Sequence, residues 1–477
     1  MGMGGICRTE NKPRILYEPQ KILKLQPQAI NKNQSKIINE QMDKSVCKIK
    51  CHDGTHGTGF FCNISEENNI KALISNNHIL RESDIKEGKT IEFYKSDEQI
   101  TKKIKIDNDR KTYTNEKYDI SIIEIKSNDD LGNILFLEIE DNEINEIHNK
   151  DNKLGIYIIH YPLGLNVSFS LGKILYILED GYTIHHLCET QEGSSGGPLI
   201  NVSSHKVIGV HKGVQDKKEY NLGSIIKIPI KEFLGSIKYS FPEKNEFQNF
   251  IPSSMNKSQK FIPSPVAQDQ LEMIIMQMKN CVVKIYKKNG CRATGFFANI
   301  PVNDKKKIPV LITCNHFMYE NDISLGKEIN FSKDDDKINY KIKIDKNRKT
   351  YTSKVYDLTF IEIKESDKIS SVSFLEIDEN LEHIEYSENI LKNQQIYLLH
   401  YIDNYPISYS IAELGNKENN YRLYYKCSTG RGSCGCPIIL LSNKKVIGVH
   451  NSCMHKLDTG IGTYIKYPIK DFISTFV

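Results

Sequence analysis

The chain has 477 residues, 39% of them apolar and 26% charged, with a formal net charge of +4. Such a length suggests two or three domains of roughly 100–200 residues. A charge so close to balance gives no electrostatic reason to expect nucleic-acid binding. No apolar run is long enough to span a membrane as a helix.

The opening residues, MGMGGICRTENKPRI, lack the apolar core of a secretory signal. The twelve cysteines therefore read as reduced thiols rather than a disulfide framework, and a cytoplasmic location is expected. Gly2 and Cys7 are acylation candidates that would bring the chain to a membrane, although Ile6 stands where a myristoylation motif carries Ser or Thr.

Residues 1–40 read as a polar N-terminal arm. From residue 41 the chain carries short runs rich in Ile, Val, Phe and Tyr: SVCKIKCH, TGFFCNI, ALISNNH, TIEFY, DISIIEIK, LGIYIIHY, KVIGVHK and GSIIKI. Polar, Asn-rich or Gly-containing stretches separate them, the pattern of many short strands in a sandwich or barrel. PIKEFL (229–234) then begins a helix with Pro in its first turn. Residues 240–268 contain four prolines and no sustained periodicity, and read as a linker. DQLEMIIMQMKN (269–280) predicts a short helix, after which the strand pattern returns.

The return is a duplication. GTGFFCNI (57–64) answers ATGFFANI (293–300), and ALISNNHIL (72–80) answers VLITCNHFM (310–318). DNDRKTYTNEKYDISIIEIK (107–126) answers DKNRKTYTSKVYDLTFIEIK (345–364), and the closing PIKEFL answers PIKDFI (468–473). A period this long marks whole-domain duplication rather than a solenoid. The organisation is thus an arm (1–40), a first domain (41–239), a linker (240–268) and a second domain (269–477).

Each copy carries the groups of nucleophilic acyl transfer in one order. These are His78, Asp119 and Ser195 in the first, and His316, Asp357 and Cys434 in the second. The nucleophile attacks, the imidazole takes and returns the proton, and the carboxylate orients the imidazole. QEGSSGGPLI (191–200) and RGSCGCPIIL (431–440) surround the two nucleophiles. In the first, Gly193 is free to turn its N–H beside that of Ser195; Gly432 and Cys434 hold the same positions in the second.

Together these features resemble the chymotrypsin-like proteases, over nearly all of both repeats but neither the arm nor the linker. The resemblance implies an all-β fold of two tandem domains, each a pair of six-stranded antiparallel barrels with a C-terminal helix. It also implies protein or peptide substrates, no cofactor, and an oxyanion hole from Gly193 and Ser195, or Gly432 and Cys434. The second copy resembles the picornaviral cysteine proteases of this fold, but Cys436 replaces the glycine found at Gly197. An active cysteine site, an inactive scaffold domain and a Cys434–Cys436 redox or metal pair all remain open on sequence alone.

In glutamyl endopeptidases and the picornaviral enzymes, a Thr and a His contact the residue before the scissile bond. Thr190 and His211, and Thr429 and His450, occupy matching positions, which implies a preference for Glu or Gln. Glu189 and Ser428 stand where trypsin-type enzymes place the acid that attracts Lys or Arg. Cys47, Cys51, His52, His56 and Cys62 crowd the first strands with no common zinc spacing. His160 and His400 recur at equivalent places and read as packed strand histidines.

Overall fold

A computed structural model describes residues 29–236 and 264–476, except 52–53, 66–69, 96–100, 142–154, 179, 215–219, 288–289, 304–305, 334–337, 370–371, 380–390, 392, 403–404, 416–420 and 455–458. Gly2, Cys7, His52 and most of the expected arm and linker lie outside the described residues. Among the described residues no helix is long and apolar enough to cross a membrane.

The chain divides into two compact units. Among the described residues, the first begins at Gln41 and runs to residue 236, and the second comprises residues 29–40 with 264–476. Both are predominantly β.

In the first unit, seven antiparallel strands form one sheet. In spatial order they are Lys102–Lys105, Thr90–Tyr94, Val46–Lys50, His56–Ser65, Ile70–Ser75, Ile120–Ile125 and Thr112–Asn115. Alternating apolar side chains on these strands form a core of Ile49, Phe61, Leu73, Ile91, Phe93 and Ile123. The ladder does not close on itself, and the sheet is a half-barrel. Arg110 stands at this gap. Its Nε donates to the Lys105 carbonyl at 2.9 Å and its Nη1 to the Glu124 carbonyl at 2.7 Å. The same guanidinium grips Asp129 with two further bonds of 2.7 Å, the Arg side chain only 3% exposed. One side chain thus joins the edge strand Lys102–Lys105 to Ile120–Ile125, the next-to-last strand on the other side of the unclosed sheet.

Arg348 repeats part of the arrangement in the second unit, bonding the Glu362 carbonyl at 2.6 Å and both oxygens of Asp367, while its buried Nε meets no partner among the described residues. Arg110→Met keeps the apolar stem but leaves Asp129 buried and unpaired, and is expected to lower stability by about 3–5 kcal/mol. Urea denaturation of parent and variant measures the difference; a change within error would show the bridge to be dispensable.

The other half of the first unit is a closed six-stranded antiparallel barrel. Its order is Thr183–His186, Asn221–Ile225, Val207–Val214, Pro198–Asn201, Gly155–His160 and Ser168–Ile177, which pairs back on Thr183–His186. The second unit repeats both halves. Its barrel is built from Gln395–His400, Ser408–Leu414, Arg422–Lys426, Pro437–Leu440, Val446–Met454 and Thr459–Tyr464. Helices Lys227–Ser236 and Lys466–Ser474 follow the barrels, with Pro229 and Pro468 in their first turns as expected.

The predicted helix before the second copy is present as Gln268–Asn280. A counterpart, Lys32–Lys44, precedes the first. Buried Gln41 of that helix donates to the His205 carbonyl at 3.2 Å and accepts from Tyr157 at 2.6 Å. Gln277 makes the matching bonds to the Lys444 carbonyl and Tyr397. The last residues of the expected arm are therefore ordered: Ile30–Asn31 adds a short strand to Ser408–Leu414, with Ile30 fully buried opposite Tyr409.

Candidate active site

Strand pairing brings the first two groups together. Ile70–Ser75 ends three residues before His78, Ile120–Ile125 starts directly after Asp119, and Ser75 faces Ser121 across the ladder. Asp119 then accepts twice from one residue. The backbone N–H of His78 reaches Oδ1 at 3.0 Å, and its Nδ1 lies 2.8 Å from Oδ2. That contact makes Nδ1 the protonated nitrogen and leaves Nε2 as the base. Asp119 has φ 54° and Asp357 φ 53°, a left-handed conformation that short polar residues tolerate and that persists only where the surroundings enforce it.

The nucleophile loop is held just as closely. Gly196 has φ 88°, and a Cβ there would lie 2.0 Å from the Thr58 carbonyl oxygen. Gly193 has φ 85°, and a Cβ there would lie 2.5 Å from the Tyr161 carbonyl oxygen. Thr58 clamps the loop from both directions, its N–H donating to the Ser195 carbonyl at 2.8 Å and its hydroxyl to the Gly193 carbonyl at 2.8 Å. The Glu192 carbonyl accepts from the Leu163 N–H at 2.6 Å, which turns the Gly193 N–H the opposite way. No acceptor among the described residues meets the N–H of Gly193 or Ser195.

The Ser195 hydroxyl donates to the Lys212 carbonyl at 3.0 Å. Proton transfer to His78 requires that bond to break first, and such contacts commonly tighten only when substrate binds.

The second unit reproduces the frame with Cys434 in the place of Ser195. His316 donates its backbone N–H to Asp357 Oδ1 at 2.8 Å, and its Nδ1 lies 2.8 Å from Oδ2. A bulge between His450 and Ser452 frees Asn451 from the ladder. Its amide donates to the Asp357 carbonyl at 3.0 Å and to Oδ2 at 3.1 Å. Thr294 plays the part of Thr58, bonding Gly432 and Cys434, and the N–H groups of Gly432 and Cys434 likewise meet no acceptor among the described residues.

A hydrogen bond from Cys314, then those from His316, hold the Cys434 thiol down at about 5 against the opposing effect of burial. Asp357 and then Cys434 push His316 up to about 10. The pair is thus a thiolate beside an imidazolium. Cys436 is fully buried, and burial pushes its thiol well up. Its side chain is accommodated in the core at the place Gly197 fills in the first unit.

The four residues assigned to substrate contact share an unusual property. Thr190 Oγ1 and Thr429 Oγ1 are buried hydroxyls that meet no hydrogen-bond partner among the described residues. His211 and His450 are 1% exposed, and burial pulls both down to about 3, so each is a neutral imidazole. In the second unit Tyr425 Oη lies 2.6 Å from His450 Nδ1. In the first unit the support is another histidine, with His186 Nε2 3.1 Å from His211 Nδ1 and the Cys188 N–H donating to His186 Nδ1 at 3.3 Å. That chain of bonds assigns the His186 proton to Nε2 and therefore the His211 proton to its own Nε2.

Sequence reasoning missed several residues of this frame. His160 is the packed strand histidine expected, fully buried at the end of Gly155–His160, and it also holds the loop of Ser195. Its Nδ1 is 2.6 Å from the hydroxyl of Ser194, beside the nucleophile, and its Nε2 is 3.1 Å from Ser170. His400 binds Ser433 at 2.8 Å and Ser410 at 3.0 Å in the same way. The recurrence of Ser194, His160 and Thr58 as Ser433, His400 and Thr294 was the available signal. Of the suspected zinc ligands, Cys47 and Cys62 are fully buried, with the Cys62 thiol 3.1 Å from the Leu137 carbonyl.

Residues 57–210 match the family model of the trypsin-like peptidase domain. None of the curated proteins is detectably similar to the chain in sequence. Among solved structures, the serine protease of a human pathogenic astrovirus is similar at 18% identity, with a TM-score of 0.28 over 38% of this chain and 89% of that one. A Glu endopeptidase solved with MPD is 16% identical, with a TM-score of 0.31 over 41% of this chain and 90% of that one. A serine endoprotease from Yersinia pestis is 14% identical, with a TM-score of 0.33 over 43% and 66%. Residues 57–210 thus match a trypsin-like peptidase domain, and the two units repeat one architecture of barrel and half-barrel, consistent with two chymotrypsin-like domains in tandem.

Proposed function

We propose that the chain is an endopeptidase with two active sites, a serine site in the first unit and a cysteine site in the second. The observation that carries this reading is the repeated frame. In both units an Asp-oriented His stands with a nucleophile on a loop whose two N–H donors are unused. In the first site Ser195 attacks the scissile carbonyl as His78 Nε2 removes its proton, and the acyl-enzyme forms on Oγ. The N–H groups of Gly193 and Ser195 stabilise the oxyanion. His78 then protonates the leaving amine, and water releases the acyl group by the reverse sequence. In the second site Cys434 attacks as a thiolate, and His316 delivers its proton to the leaving amine.

A preference for Glu or Gln before the scissile bond is part of the same reading, supported by the chemistry of these groups. A neutral His with its proton on Nε2 and a Thr hydroxyl that meets no partner among the described residues can each donate to a side-chain oxygen. An aliphatic guest leaves both groups unsatisfied.

The test is covalent capture. A fluorophosphonate probe is expected to modify Ser195, and iodoacetamide to modify Cys434 ahead of the chain's other thiols. Failure of either label to map there removes that site. The alkylation rate at Cys434 also has an expected pH profile. Since its thiol is held at about 5, the rate falls only as pH drops through about 5 and stays level through neutrality. A profile that instead rises near pH ~8.5, as for an unassisted thiol, excludes the ion pair.

A further inference from the structure

The second unit holds a thiol that this mechanism leaves without a chemical task. Cys314 follows the strand Lys306–Thr313, two residues before His316, and is fully buried. Its Sγ is 3.6 Å from His316 Nε2, and a Cβ on Gly435, the residue after Cys434, would lie 3.1 Å from the Cys314 backbone nitrogen. Cys434 also packs against the buried cluster that contains Cys314. The equivalent residue of the first unit is Asn76, whose amide bonds the Asp119 carbonyl at 2.8 Å. The extra thiol therefore belongs to the unit whose nucleophile is sulfur.

We propose that Cys434 and Cys314 form a peroxide-reactive pair, Cys434 being the oxidised sulfur and Cys314 the resolving one, joined in a reversible disulfide. The consequence for cleavage rests on reading Cys434 as a nucleophile; the thiol chemistry does not.

Exposure sets the order of events. Cys434 is partly exposed whereas Cys314 is buried, so a small oxidant meets Cys434 first. Burial also pushes the Cys314 thiol well up, which keeps it protonated and unreactive toward peroxide. In the first step the Cys434 thiolate attacks one oxygen of hydrogen peroxide and the O–O bond breaks. The departing hydroxide takes a proton from the His316 imidazolium and leaves as water, and Cys434 becomes a sulfenic acid. His316, now neutral and 3.6 Å from Cys314 Sγ, accepts the Cys314 proton. The Cys314 sulfur attacks the sulfenic sulfur, the S–O bond breaks, and the second hydroxide recovers that proton from His316. Peroxide is reduced to two waters while two thiols are oxidised to one disulfide. An external dithiol restores both thiols by exchange and is itself oxidised.

Cys436 is the competing resolving thiol, only two residues from Cys434. It is Cys314, however, that belongs to the cluster Cys434 packs against and that has His316 as its proton acceptor.

The experiment uses the full chain carrying Ser195→Ala, so that the first site is silent. After brief peroxide treatment, the expected product is a Cys314–Cys434 linked peptide, lighter by two hydrogens. Peptide cleavage is lost with its formation and returns with dithiothreitol. In Cys314→Ala, and in Cys314→Asn, which installs the residue of the first unit, Cys434 proceeds to the sulfinic acid and dithiothreitol recovers nothing. The proposal is overturned if Cys314 still alkylates after Cys434 is oxidised, if the linkage maps to Cys436, or if both variants recover as the parent does. Should neither variant fold, peptide mapping of the Ser195→Ala chain decides alone. Formation of the linked peptide in a chain that cleaves nothing even before oxidation sinks the second peptidase site and leaves the thiol pair standing.

Discussion

Ser195→Ala is expected to lower kcat of the first site by about 10⁵-fold, and Cys434→Ala to do the same to the second. The methyl that replaces each nucleophile leaves the loop and the oxyanion donors in place, so only the residual advantage of binding and electrostatics over water survives. Each single variant then retains the cleavage due to the other unit, and the double variant retains neither. A peptide library digested by the parent, both single variants and the double variant gives the result directly. If Ser195→Ala alone abolishes all cleavage, the second unit is not a peptidase. If the double variant cleaves like the parent, the mechanism is wrong in both units. The two sites also separate by inhibitor, since the thiolate of Cys434 answers to alkylating agents and the hydroxyl of Ser195 to phosphonylating ones.

The same library is expected to show kcat/KM for Glu or Gln before the scissile bond about 10⁴-fold above that for Leu. The ratio arises mostly from rejection. Thr190 Oγ1 and Thr429 Oγ1 meet no partner among the described residues, and a guest that supplies no oxygen keeps them and the imidazole N–H dry and unpaired. His211→Leu, measured in a Cys434→Ala chain, should lose about ten- to hundredfold in cleavage after Glu, the effect of one bond to a charged carboxylate, and about two- to tenfold after Gln, where both partners are neutral. It should gain cleavage after aliphatic residues, and His450→Leu should do the same in a Ser195→Ala chain. Equal cleavage after Leu and Gln by the parent, or His variants with unchanged preference, would remove these residues from the pocket. Glu against Gln is a finer distinction. Both histidines are held neutral near pH 7 by burial, so neither brings a full charge to meet a carboxylate.

Much of this architecture is legible along the chain. The duplication, the strand runs, the helices after each barrel and the order His, Asp, nucleophile all depend on local signals. Alternation of apolar residues produces strands, and glycines at fixed offsets produce the nucleophile turn. Gly193 and Gly196 illustrate the point, because positive φ and the carbonyls crowding them exclude any side chain. The helix Lys32–Lys44 escaped because KNQSKIINEQMDK has few apolar residues, and because its matching Gln41 and Gln277 stand among otherwise dissimilar neighbours.

What stayed hidden has a common cause: contacts between residues far apart in sequence that side-chain identity alone does not specify. Arg110 looks like one more surface charge in a Lys-rich chain until the unclosed sheet sets two carbonyls and Asp129 around it. His186 acquires a role only because the two barrel strands flanking Asn221–Ile225 bring it against His211. Cys436, adjacent to the nucleophile in sequence, is the obvious second thiol. Packing of the second unit's half-barrel against its barrel instead brings Cys314 near Cys434 from far away in the chain. A linear pattern specifies which residues turn inward and where the backbone bends. Which inward residues meet is settled by the closure of the sheets, since only there do directions set by separate strands converge on one point.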